Sequence, residues 1–368
     1  MAARPGSYTV KVTVAEPDAA TPRVRRRRPL WVDLTSIALV TALLLAGLGV
    51  GSAALYRPLY SPTAFVLHYL SLLSDGRAGD ALAVPGVALT PDQLSAAGLP
   101  STASSALLRS TALGQLSDVN VVSESSEGAV TTVTVSYSAG GHSGTTAFRV
   151  APDGQLGVLP TWRFATSPLA VMSLTALGTM QFGVNGFVVD KRQVSPDGEN
   201  VKPTEPIAML VFSPALYAIR IDTDISSSSG TAVLTNAPGV DIPVTVQAQP
   251  TAQFTSVVQQ RVNEFLSQCA TQQVLQPTGC PFGYVVRNRV EGTPTWSITQ
   301  QPTIQVVPDG NGWRIPDTAA VAHIQVTVQS LYDGSVRRVS DDVPFTVNAG
   351  ITVNPDETVA ISIGGGTN

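Results

Sequence analysis

The stretch LTSIALVTALLLAGLGVGSAALY, residues 34–56, runs for 23 residues without a charge. As an α-helix rising 1.5 Å per residue it is about 34 Å long, enough to cross a hydrocarbon core of about 30 Å. A segment of this length and apolarity has to be taken out of water, so it constrains the rest of the chain. Trp31 stands at one end and Tyr56 and Tyr60 at the other, where amphipathic aromatic side chains favour the headgroup level. Asp33 and Arg57 are the first charges on either side.

The charge around this stretch is lopsided. Arg23, Arg25, Arg26, Arg27 and Arg28 lie directly before it, and only Arg57 lies close after it. Residues 1–30 carry seven basic groups against Glu16 and Asp18, a net of +5, which leaves −9 for the remainder of a chain whose total is −4. The positive-inside bias then predicts a single-pass plasma-membrane protein with a cytoplasmic N-terminus and everything after Arg57 outside. The arginine run would also attract anionic headgroups of the lipid bilayer, by about 1 kcal/mol per residue. A cleaved signal peptide is the alternative. Its apolar region should be about 7–15 residues, and the weak cleavage candidate is GSAAL. No basic fold or aromatic stacking pattern accompanies the arginines, so nucleic acid is not an expected partner. Residues 1–30 read as a disordered tail and residues 31–57 as the transmembrane helix. Within it Ala38, Ala42, Ala46, Gly47 and Gly51 have the small-residue spacing that lets two helices approach closely. An alanine-rich span produces the same spacing without any partner.

Beyond Arg57 the chain has few charges (13% overall) and is rich in Val and Thr, a composition that favours strands. Ser61 with Pro62 opens a helix, and Val66, Tyr69, Leu70 and Leu73 make one apolar stripe along it. A second helix is expected over residues 77–83 and a third helical piece near Leu107. After Gly114 alternating runs predict strands, with turns at AGGHSG and at PDG, residues 152–154. Residues 166–250 read as strands throughout, with Asn185 and Gly186 as a hairpin turn. Residues 251–350 return to a long helix followed by alternating runs, which suggests an internal repeat.

Helices followed by antiparallel strands, carried by AFVLHYLSLLSDGRAGDAL, TTVTVSYS, TTAFRVAPDG and PTWRFA, resemble the NTF2-like cone. The order VNG then FSPALYAIRI looks like small extracytoplasmic β-modules with the pattern V-N-G, then P-G-x-Y; Ala215 stands where that pattern has Gly. The whole layout is similar to Gram-positive, actinobacterial-type envelope proteins, among them the teicoplanin-resistance-associated membrane proteins. Those carry a Cys₄ zinc ribbon in the cytoplasmic head, whereas this chain has no cysteine before Cys269. The resemblance implies an α+β class: one transmembrane helix, then a β-rich extracytoplasmic region of two NTF2-like domains (residues 58–165 and 251–368, the latter with a disordered C-terminal tip) flanking a small all-β domain (residues 166–250).

Little in the sequence spells out chemistry. Cys269 and Cys280 are the two cysteines, 11 positions apart, and are expected to form a disulfide outside the cytoplasm. His68, His142 and His323 read as structural. GGHSG around Ser143 lacks the last glycine of a nucleophile elbow, since Thr145 stands there, and it joins strand to strand. Asp118, Tyr137 and Tyr332 are candidates for a cavity of the NTF2-like kind, yet ordinary packing explains each. No cofactor, metal or catalytic residue is assigned. The expected function is non-catalytic: a membrane-anchored scaffold of the cell envelope or a secretion assembly, its partner an envelope protein or a second copy. The alternative is a receptor for a small molecule or cell-wall fragment held in an NTF2-like cavity.

Overall fold

The computed structural model describes residues 60–367 except 158, 311 and 355–357, together with Ala38, Leu39 and Thr41. Arg23, Arg25, Arg26, Arg27 and Arg28 lie outside the described residues, as do Ala42, Ala46, Gly47, Gly51 and nearly all of the 34–56 stretch. Ala38 is helical and exposed.

Two expectations are corrected. The described residues are 48% strand and 19% helix, so the protein is mostly β in place of the α+β class with a spanning helix. No described helix is long and apolar enough to cross a membrane, and the single-pass plasma-membrane location does not stand. The physical reason lies in the difference between a capacity and a structure. An apolar run gives a segment the length to span, but nearly all of residues 34–56 lies outside the described residues, and the longest described helix, Ala252–Ala270, carries Gln259, Gln260, Arg261 and Glu264 and is apolar along one stripe only.

Helix α1 (Pro62–Ser74) starts where Ser61 Oγ accepts from Ala64 N at 3.1 Å, with proline in the first turn. Its buried face holds Val66, Tyr69, Leu70, Leu72 and Leu73. Short helices α2 (Ala78–Ala83) and α3 (Pro91–Ala96) follow, the latter closed by a capping box between Thr90 and Gln93. The helix expected near Leu107 is instead a turn and a 3₁₀ segment, Ser110–Ala112. Strands β1 (Leu116–Glu127), β2 (Val130–Ala139), β3 (His142–Leu156) and β4 (Leu159–Phe164) then form an antiparallel meander. Strand β2 alternates strictly, burying Thr131, Val133, Val135, Tyr137 and Ala139. The expected PDG turn is absorbed into β3 as a register break between Pro152 and Gly154, and the chain reverses at Gly157. Phe65, Tyr69, Phe148 and Phe164 form one aromatic cluster that seats α1 on the sheet.

Residues 169–250 build two sheets. Strand β5 (Leu169–Leu177) pairs antiparallel with β8 (Ile207–Phe212) and parallel with β12 (Asp241–Gln247). The second sheet has the order β11 (Thr231–Thr235), β9 (Ala215–Arg220), β6 (Gln181–Val184), β7 (Phe187–Asp190). A four-residue helix α4 (Lys191–Val194), absent from the strand-only expectation, follows β7. A small ladder pairs β10 (Ser226–Ser227) with β13 (Gln249–Pro250).

Helix α5 (Ala252–Ala270) is capped by Thr251 and buries Phe254, Val258, Val262, Leu266 and Cys269. The last sheet orders β14 (Arg289–Gln300), β16 (Gly312–Gln329), β17 (Val336–Val353) and β18 (Val359–Thr367), with β15 (Val307–Asp309) paired to β16. Phe254 of α5 meets Trp313 of β16 at 5.0 Å between ring centroids. Strand β18 covers β17 only from Phe345 to Val353, so residues 336–344 are paired on one side alone. One apolar cluster continues from Val66 through to Val353.

Candidate functional site

A cleft of about 480 Å³ opens on the outer face of the sheet formed by β6, β7 and β9. The strand period builds it. Phe182, Val184, Tyr217 and Ile219 point inward and are buried, so Gly183, Ala218 and Arg220 point outward. Gly183 lies opposite Arg220 in the ladder. The small Gly183 and Ala218 make the floor, Val188 (64% exposed) stands on one side, and Arg220 and Asp222 on the other. Neither Arg220 nor Asp222 has a side-chain hydrogen bond or ion pair among the described residues.

The expected hairpin turn closes one end of this cleft and is held unusually firmly. Asn185 adopts a left-handed backbone at φ +49°, which Asn tolerates better than most residues. Its Nδ2 donates to Ala112 O at 2.9 Å and to Leu216 O at 2.8 Å, while its Oδ1 accepts from Ala218 N at 2.8 Å. One amide thus ties the turn, the floor strand and the segment before β1 together. The Arg109 guanidinium sits 4.4 Å from the centre of the Phe187 ring and steadies the other arm of the hairpin.

The residues singled out in the sequence converge only in part. Asp118, Tyr137 and Ser143 share a wide, open depression of about 570 Å³. Within it the Tyr137 hydroxyl is 3.1 Å from Thr146 Oγ1, and burial raises its pKa. Ser143 pairs with Ser138 beside the hairpin turn, and the neighbouring His142 ring lies against Gly140 O. His68 is exposed on α1, and Tyr332 is 99% exposed at the tip of the β16–β17 hairpin. Among the described residues no group of three His, Cys, Asp or Glu side chains is placed to hold a metal.

Two arrangements escaped the sequence. His323 Nδ1 lies 2.7 Å from Asp342 Oδ1 and its Nε2 lies 3.0 Å from Ser340 Oγ, a carboxylate–imidazole–hydroxyl line across β16 and β17. The three occupy the open outer face of the sheet and line none of the cavities described here. Alternation alone puts Ser340 and Asp342 on one face; that His323 stands opposite depends on a cross-strand register no local signal reveals. The second is Lys191, which stands between Asp190 and Arg192 in the sequence and is wholly buried. Asp190 caps α4 and pairs with Arg192 at 2.5 Å, leaving the lysine to turn inward and donate to the carbonyls of Ala176 and Pro203. Burial pulls the ammonium pKa down to about 8.

Cys269 and Cys280 form the expected disulfide, with Cα atoms 5.8 Å apart, and it fastens the end of α5 to the following loop. Compared with protein-family models, with curated proteins and with solved structures, the chain finds no match.

Proposed function

We propose that this chain is a non-catalytic binding protein, a scaffold that holds an extended segment of a partner polypeptide in the cleft over Gly183 and Ala218. The observation that carries this reading is the pairing of a floor of small residues with one cation and one anion, Arg220 and Asp222, that have no side-chain partner among the described residues. A polypeptide crossing the floor brings backbone amides and charges of both signs, which such a rim suits. The edge strand β7 beside the cleft adds a row of main-chain groups of the kind that added strands recognise. Tyr137, Lys191 and Asn185 are each committed to a structural hydrogen bond, and the line of Asp342, His323 and Ser340 lies outside the cleft. The cleft volume also lies within the range of about 300–1,000 Å³ usual for small-molecule sites, so a small zwitterionic ligand is the second reading.

The test places a photo-crosslinking amino acid at Val188 of the full-length chain in cells. A polypeptide adduct that disappears when Ala218→Trp fills the floor supports the scaffold. No adduct, or one indifferent to Ala218→Trp, overturns it. In that case equilibrium dialysis with a labelled dipeptide, compared between wild type and Ala218→Trp, decides the small-ligand reading.

A further inference from the structure

The outer edge of β17 before β18 begins, residues 336–343, is an unpaired sheet edge, and Pro344 ends it because proline has no N–H to donate. Its side chains read Val336, Arg337, Arg338, Val339, Ser340, Asp341, Asp342, Val343, and all but Val339 and the buried Val343 are exposed. Neither arginine has a hydrogen bond or ion pair among the described residues. The carboxylates are steadied from their own sheet, Asp341 by the Tyr284 hydroxyl at 2.9 Å and Asp342 by His323 at 2.7 Å.

This order of charges is self-complementary when read against its own reverse. We propose that the edge pairs antiparallel with the same edge of a second copy of this chain, joining two sheets across a twofold axis. Antiparallel partners keep their side chains on matching faces only if the axis passes beside a residue, so two registers are open. Centred on Ser340, Arg338 of each copy faces Asp342 of the other and Arg337 reaches Asp341 diagonally. Centred on Val339, Arg337 faces Asp341 and Arg338 reaches Asp342 diagonally. Either way every arginine gains a carboxylate, and no like charges stand opposite one another.

Edge strands are ordinarily guarded against self-pairing, as the edges of β1 and β14 are, while the β18 edge carries no charge at all. Strand β1 carries Asp118, Glu124 and Glu127 with no cation, so two copies would repel. Strand β14 contains Pro294 and a break in register between Glu291 and Thr295. Among the described long edges, only that of β17 combines free main-chain groups with charges arranged to attract a copy of itself. A partner of one net charge would satisfy either the arginines or the aspartates but not both, which favours a second copy over a purely acidic or basic protein.

The test uses the full-length chain in analytical ultracentrifugation, with circular dichroism to confirm folding of each variant. Wild type is expected to show a reversible dimer that weakens in high salt, where screening shortens to about 3 Å at 1 M. Arg337→Asp with Arg338→Asp, and separately Asp341→Arg with Asp342→Arg, should each be monomeric at the same concentration. Mixing these two variants should restore a dimer, now of unlike copies. Because both native cysteines are bonded to each other, Ser340→Cys supplies a unique thiol near the axis and should crosslink on mild oxidation, whereas Val121→Cys on β1 should not. A monomeric wild type overturns the proposal, as does a dimer that survives both charge reversals or a mixture that fails to reassociate. None of these outcomes bears on the cleft, so the two proposals stand or fall separately.

Discussion

Asn185 and Ala218 are joined side chain to main chain at 2.8 Å, and this one bond sets the position of the cleft floor relative to the turn that closes it. The same amide satisfies Ala112 and Leu216. Replacing Asn185 with Gly keeps the left-handed backbone accessible but removes all three hydrogen bonds. Chemical denaturation of Asn185→Gly should show a loss of about 2–4 kcal/mol, since the abandoned groups are partly buried. A loss below about 0.5 kcal/mol would mean that water replaces the amide at no cost.

Lys191 makes the stability depend on pH in an unusual direction. Its folded pKa of about 8 lies below the unfolded value of 10.5, so between these limits the unfolded chain binds more protons. The penalty of burying the charge is present in full below pH 8 and is relieved as pH rises towards 10.5. The relief is at most about 3 kcal/mol. Tyr69 and Tyr217, whose burial raises their pKa values, act oppositely above pH 10 and set the upper end of the useful window. Between pH 7.5 and 9.5 the wild type should gain stability relative to Lys191→Met in thermal melts. Parallel profiles for the two would refute the assignment.

The disulfide closes a loop between positions 11 apart. In the chain-entropy picture reduction should cost about 3 kcal/mol. Urea unfolding followed by tryptophan fluorescence, with and without reductant, measures this directly. The Cys269→Ser, Cys280→Ser double variant should match the reduced protein and lose its sensitivity to reductant.

Trp313 is 1% exposed, packs at a tilt against Phe254 and donates from Nε1 to Ala248 O at 3.3 Å. It joins α5, β16 and the segment that follows β12. Trp313→Ala should destabilise by about 3–5 kcal/mol. Trp313→Phe, which retains most of the volume, should cost less, and the comparison separates packing from the indole hydrogen bond.

Much of the local structure was legible in the sequence because its causes are local. Ser61 and Pro62 start α1, the 3.6-residue stripe from Val66 to Leu73 orients it, strict alternation marks β2, and Asn185 with Gly186 reverse the chain between β6 and β7. The misreadings have local causes too. The PDG at residues 152–154 has turn composition, but pairing with β4 holds it extended as a bulged strand. The apolar run near Leu107 satisfies helical spacing, yet it is too short to nucleate more than a 3₁₀ turn against the neighbouring sheet.

The sequence by itself determined where α1 begins, where β6 turns into β7, which cysteines can meet, and the order of charges along β17, because each depends on neighbours within a few residues. Tertiary structure alone decided that Lys191 faces inward, that His323 meets Ser340 and Asp342, that Gly183 and Ala218 share a floor, and that residues 336–343 lack a partner strand. Those outcomes depend on register and burial between segments far apart in the chain, where many pairings satisfy the same alternation and only the packing of the whole selects one.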